Sequence, residues 1–428
     1  MTLPVGLREI LVEPQKAEDL QIPQNLVLDI ILRLLYNEGN VALSRMVQVI
    51  RVHSGIIDSM LLWMQKEHLV EVSQAGSGLG RLSYVYSLTE AGEFRAKSAL
   101  ERSQYVGPAP VPVSQFARAI DLQTRSRARV NPEQVKASLK HLILPSNFHR
   151  RVGPAVNSGT SLFLYGPPGN GKTTIAEAIA KLIAGTDPIW LPYALTAGGY
   201  IIQIYDRLTH VHPDNIEQLL NDVGRHDKRW GLFKRPSVMV GGELKMEALE
   251  LRYDPIAKFY EAPLQLKASG GMFLIDDFGR QQISPSDLLN RWIVPLESKV
   301  DFLRLQSGQS IVVPFKQLIV FSTNLDPNEL VDDAFLRRIQ IKVEVKPPDE
   351  KRYYQIFTTV CKEMQIPFDR SSFAHLLQSW YMKNGRVMQA VHPRDILRTL
   401  QVLCEYEGDE VKISPELIDE ACSIYFVD

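Results

Sequence analysis

Gly166-Pro167-Pro168-Gly169-Asn170-Gly171-Lys172-Thr173-Thr174 decides how this chain is read. It satisfies every fixed position of the pattern G-x-x-x-x-G-K-[ST]. The apolar run 160–165 before it reads as a buried strand, and 175–183 after it reads as a helix. In that context the glycines let backbone N–H groups turn toward a phosphate, with the positive end of a helix dipole behind them. Gly166, Pro167, Pro168, Gly169, Asn170, Gly171, Lys172, Thr173 and Thr174 are therefore the candidate phosphate-binding residues. Lys172 would reach the terminal phosphates, and the Thr173 hydroxyl would bind Mg²⁺. An ordinary Gly/Pro turn with a surface lysine does not account for strand and helix both being in place.

Composition sets the bounds. The chain has 428 residues, enough for two to four domains, with 45% hydrophobic and 23% charged residues, as in soluble globular proteins. A net charge of −1 excludes a polycation that would bind nucleic acid by bulk charge. No signal segment and no apolar run near 18 residues is evident, so a cytoplasmic protein without a membrane partner is expected. Cys361, Cys404 and Cys422 lack C-x-x-C spacing and read as reduced core thiols.

Residues 1–20, with prolines and mixed charge, read as a flexible N-terminal segment. Helices are expected at 26–36, 41–50 and 54–67, then strands at 69–73 and 82–88 around Gly76, Gly78 and Gly80, then a helix opening at Thr89. Residues 21–105 thus resemble a winged helix-turn-helix domain, an α+β fold. That resemblance implies a DNA partner. The charges favour a protein-docking role instead: residues 21–105 hold eight basic and eight acidic side chains, and the third helix offers only Ser54, Asp58, Ser59, Gln65 and Lys66. Residues 106–130 read as a proline-rich linker, with the proline-rich stretch at 107–113 and the cluster Arg125, Arg127 and Arg129 after it as a solvated connector.

Beyond the glycine loop, 189–195 and 200–205 flank Gly198-Gly199 and read as a hairpin. Asp206, His210 and His212 form a weak candidate metal cluster lacking a fourth ligand. Residues 186–268 read as one insert, of which 213–268 form either a loop directed at a substrate or an elaboration packed on the core; 299–317 read as a second, a hairpin.

The run 270–277 is an apolar strand ending in Asp276-Asp277. Packing alone does not place acids there. Asp276 would hold Mg²⁺, and Asp277 would polarise the attacking water. A third apolar strand ends at Asn324, which can orient that water, and Asp333-Ala334-Phe335-Leu336-Arg337-Arg338 offers arginine fingers for a neighbouring subunit.

The loop 166–173, the strand ending in Asp276-Asp277, Asn324 and Arg337/Arg338 occur in the order seen in AAA+ ATPases, and the resemblance covers about residues 131–428. His392-Pro393-Arg394-Asp395 resembles that family's sensor 2, which implies Arg394 at the γ-phosphate. Leu142 and Ile143 stand where the family often covers adenine, or serve core packing. The 299–317 hairpin and Ala268-Ser269-Gly270-Gly271 are similar to MoxR-type and enhancer-binding ATPases. The resemblance implies an α/β P-loop NTPase core with a parallel sheet at 131–346, a helical lid at 347–428, ATP and Mg²⁺ as ligands, and a homo-oligomeric ring, a hexamer, acting on a protein client. Its catalytic residues would be Lys172, Asp277, Asn324, Arg337 and Arg338; its metal residues, Thr173 and Asp276. A DNA-binding regulator switched by ATP is the alternative. Three departures matter. Asp277 replaces the usual glutamate, so slow hydrolysis is expected. The Gly-Ala-Phe-Thr-Gly-Ala loop is absent, against action on an alternative sigma factor. Two adjacent arginines leave the finger's identity open.

Overall fold

A computed structural model describes residues 3–74, 80–330 and 336–427. Gly76 and Gly78, and Asp333-Ala334-Phe335 ahead of the paired arginines, lie outside the described residues. The glycine loop leaves a five-stranded sheet built from β1 (Ser161–Tyr165), β2 (Ser237–Val240), β3 (Met272–Ile275), β4 (Leu318–Thr323) and β5 (Ile341–Glu344). Its order is β2-β3-β4-β1-β5, and β4 and β5 both run parallel to β1. The inner strands of a parallel sheet are covered on both faces, so they are apolar throughout. Leu162, Phe163 and Leu164 of β1 and Ile319, Val320 and Phe321 of β4 are accordingly buried. The α/β fold with a parallel sheet is as expected.

The chain divides into two compact units, Met1–Arg129 with Ile183–Phe273 and Gln282–Leu318, and Val130–Leu182 with Leu274–Gln281 and Ile319–Asp428. In the first, helices Gln24–Glu38, Leu43–Ile50 and Ser54–Lys66 precede strands Val70–Gln74 and Val85–Leu88 and helix Glu90–Arg102. The strand Val85–Leu88 lies between Val41–Ala42 and Val70–Gln74.

Four expectations are corrected in this unit. The segment 1–20 is no flexible lead-in: Val5–Ile10 is helical, and Leu3, Leu7, Ile10, Leu11 and Leu20 are buried. Spacings of three and four put Leu7, Ile10 and Leu11 on one helical face. Residues 106–130 are no linker. Val111–Pro112 pairs with Ala194–Ala197, and helix Val113–Arg125 buries Phe116, Ala119 and Ile120. The apolar run 189–195 is not one strand. Ile189–Pro192 pairs with Trp230–Phe233, while Ala194–Ala197 turns at Gly198-Gly199 to pair with Tyr200–Gln203. The stretch 186–268 is not a single insert, because it contributes β2 to the sheet.

Asp206, His210 and His212 serve the fold. His210 Nδ1 accepts from the Asp206 amide at 2.9 Å, leaving Nε2–H to donate to the Lys267 carbonyl at 3.0 Å. Asp206 takes the buried Lys267 ammonium at 3.1 Å, and His212 Nδ1 donates to the Leu232 carbonyl at 2.7 Å. Among the described residues, no group of three His, Cys, Asp or Glu side chains is placed to hold a metal. The 299–317 hairpin is present, with Val300–Arg304 paired to Ser310–Pro314.

In the second unit helices Glu350–Glu363, Arg370–Leu376, His392–Glu407 and Pro415–Tyr425 follow β5, with a π-helical stretch at Leu377–Met382. The three cysteines are free and buried among them.

Candidate functional site

The loop after β1 owes its path to its glycines. Gly166 has φ +134°, and a Cβ there would lie 2.5 Å from the Val345 carbonyl oxygen, so no side chain fits. Gly171 has φ +84° with nothing within 4 Å of where a Cβ would stand, leaving its backbone open to a ligand. Lys172 Nζ donates to the Gly166 and Pro167 carbonyls at 2.8 and 2.9 Å, which folds the ammonium over the loop. Burial pulls its pKa below the ordinary lysine value, against the opposing pull of Asp276 and Asp277.

Thr173 Oγ1 donates to Asp276 Oδ2 at 2.7 Å, joining the first turn of helix Lys172–Ala184 to the end of β3. A hydroxyl and a carboxylate that close are the oxygen donors a hard, hydrated Mg²⁺ takes, so these residues fit that ion. Asp277 stands at φ +48° and is exposed, and its Oδ1 accepts from Asn324 Nδ2 at 3.2 Å. Gln281 Nε2 donates to the Asp276 and Asp277 carbonyls, fixing the turn that aims both acids.

These side chains open onto a cleft of about 590 Å³ within the second unit. Pro168 to Thr174, Asp276, Asp277, Asn324 and Arg394 line it, together with Leu142 and Ile143. Gly166 and Pro167 shape the loop without lining the cleft. Arg337 is exposed and Arg338 half-buried, and neither reaches the cleft of its own chain.

Residues 162–234 match the family described as ATPase family associated with various cellular activities (AAA). The chain carries an AAA ATPase domain. Residues 349–424, beyond that match, fit a domain of unknown function designated DUF8689. A curated relative from Rothia mucilaginosa (strain DY-18), described as an AAA ATPase forming ring-shaped complexes, is 25% identical over 244 residues. The match covers 56% of this chain and 33% of the relative, so the chain spans about a third of that protein's length. Among solved structures, the RuvB Holliday junction branch migration motor from Thermotoga maritima aligns at 14% identity and a TM-score of 0.37, over 70% of this chain and 71% of that one. NtrX from Brucella abortus aligns at 14% identity and a TM-score of 0.39, over 76% and 60%.

The cleft has a wall that the sequence did not reveal. Ile356, Thr359, Val360 and Glu363 line it from helix Glu350–Glu363. Their spacing of three, four and seven is one helical face. The periodicity was visible in the sequence, but which face meets the cleft is a tertiary fact. Ala390 and Val391 carried no sequence signal. Their amides donate to Asn170 Oδ1 at 3.2 Å and to the Gly169 carbonyl at 2.9 Å, tying the turn before His392 to the glycine loop. Asn170 Nδ2 donates to the Pro167 and Pro168 carbonyls, so its amide braces the loop.

His392 anchors the same turn. It is buried, and its Nδ1 accepts from Tyr381 Oη at 2.9 Å, while the Tyr381 and Tyr353 hydroxyls are 2.6 Å apart. Burial pushes the His392 pKa down to about 4, with Arg386 adding to that and Asp395 opposing it.

Proposed function

We propose that the chain binds MgATP in this cleft and hydrolyses it as one subunit of a ring that remodels a protein or protein–nucleic acid assembly. The observation that carries the reading is the Thr173–Asp276 contact of 2.7 Å beside Lys172 at the open end of the glycine loop. Lys172 and Arg394 line the cleft against Asp276, Asp277 and Glu363, so its own carboxylates outnumber its cations. A polyphosphate would therefore enter with a divalent cation. Thr173 and Asp276 would hold that ion, and Mg²⁺ when bound supplies charge neutralisation across the terminal phosphates. Loop amides and Lys172 bind and orient the phosphates. Asp277, with Asn324, would orient a water for in-line attack on the γ-phosphorus and take its proton. Arg337 or Arg338 would act on a neighbour's nucleotide, in keeping with their distance from their own cleft.

Residues 21–105 would act as a winged-helix adaptor that docks protein. Four of its eight basic residues are engaged inside the domain. Arg33 and Arg102 pair with Asp29, Arg45 with Glu38, and Arg81 with Asp58 of the third helix. That helix exposes Leu62 and Trp63, a surface suited to apolar contact more than to phosphates. Light scattering with saturating MgATP, followed by affinity capture on Asp277→Asn, tests the reading. It expects a ring with a protein client. A monomer would contradict the ring, and an ATP-dependent DNA shift that survives Asp277→Asn with no protein captured would replace the reading with the DNA-binding regulator.

A further inference from the structure

Glu363 is an unexpected resident of the cleft. Asp276 and Asp277 have places in metal and water chemistry, but a third carboxylate works against binding a polyphosphate. Glu363 is the last residue of helix Glu350–Glu363, and Arg394 is the third residue of helix His392–Glu407. Arg394 Nη2 donates to Glu363 Oε2 at 2.7 Å, and both side chains line the same cleft as the glycine loop. Lys172 already gives its ammonium to two loop carbonyls, which leaves the Arg394 guanidinium as the adaptable cation of the cleft.

We propose that Glu363 is an internal competitor for Arg394, a positioning residue that the terminal phosphate of ATP must displace. A guanidinium presents its donors in a fixed fork, and a carboxylate and a phosphate compete for the same edge. The competition falls on the nucleotide that reaches Arg394 with its last phosphate, so it discriminates ATP from ADP. It also sets lid position. With Glu363, Arg394 bridges two lid helices; with phosphate, it bridges the lid to the glycine loop. The pair is more than half exposed, with side chains 62% and 53% accessible, so its grip is modest and reversible. That suits a switch. This inference rests on the cleft being an ATP site.

The test is a set of dissociation constants for MgATP and MgADP, read by competition with a fluorescent nucleotide. It compares wild type, Glu363→Gln, Arg394→Ala and the double variant. Glu363→Gln keeps the side chain's size and removes its charge. It should tighten ATP about two- to five-fold, as expected for releasing a surface ion pair, and leave ADP within about 1.5-fold. In the Arg394→Ala background the same change should give no ATP-specific gain. An unchanged ATP affinity, an equal gain for ADP, or an ATP-specific gain that persists without Arg394 would overturn the proposal. Failure of wild type to bind either nucleotide would instead overturn the ATP-site reading.

Discussion

At the residue scale, the proposed chemistry and an observed backbone strain meet at Asp277. Its φ of +48° is in the left-handed region, which aspartate and asparagine tolerate better than longer side chains. The short acid therefore suits the backbone, whereas the family pattern has glutamate at this position. Asp277→Glu places the carboxylate one methylene further out. It should raise turnover several-fold with ATP affinity held, while lowering the melting temperature by a few degrees, since strain of this kind costs about 1 kcal/mol. Steady-state phosphate release and a thermal melt check both halves; turnover unchanged or lowered at constant affinity contradicts the idea that the short acid slows hydrolysis. The glycine loop, Asp276 and Asn324 were legible in the sequence because phosphate and Mg²⁺ chemistry demands particular atoms at particular spacings. Glu363 was not, because nothing in a lone glutamate at a helix end says which surface it meets. Asn170 was read as one of the phosphate-loop positions and lines the cleft, while its side chain braces the loop and holds the Ala390 amide.

At the scale of elements, the same contrast has other causes. β1, β3 and β4 were legible because strands covered on both faces must be apolar throughout. The edge strand β2 alternates exposed and buried residues and was placed in an insert. Prolines hid two packed elements: the helical face of Leu7, Ile10 and Leu11, and that of Phe116, Ala119, Ile120 and Gln123. Among the C-terminal helices, the π-helical stretch Leu377–Met382 turns Tyr381 inward onto His392. A π-bulge costs hydrogen-bond quality and persists where it places a side chain that matters. Because His392 is neutral in the fold, its folded pKa lies below its unfolded value near 6.5. Its contribution is thus fully present above about pH 6.5 and is lost as the pH falls toward 4. Asp395, Arg386 and Tyr381 face it, and only Asp395 opposes the shift. Melting curves should show stability falling through that window by an amount on the order of 2–3 kcal/mol, with His392→Gln flattening the fall. A wild-type profile level from pH 6.5 to 4.5 would mean that this histidine is not held neutral.

At the scale of the whole molecule, the balance of 48 basic and 49 acidic residues leaves no global field to gather nucleic acid. Binding has to come from local surfaces. Among the described residues, no helix is long and apolar enough to cross a membrane. Residues 21–105 share a buried core with Ala194 and Ile201, and Arg51 stacks 4.2 Å above the Tyr193 ring, so that domain is joined to its unit by packing as well as by the chain. In the proposed ring Arg337 or Arg338 would come to a neighbour's cleft and add to that cleft's own Arg394, since neither lines the cleft of its own chain.

The most direct test of MgATP hydrolysis in this cleft is single-turnover phosphate release from the assembled protein, with wild type compared with Asp277→Asn at matched nucleotide occupancy. Asparagine keeps the left-handed backbone and the side chain's size while removing the base. The expected result is Mg²⁺-dependent release from wild type and a loss of about 100-fold or more in the variant, with ATP affinity within about three-fold. No release from wild type at saturating MgATP, or equal release from both proteins, would contradict it.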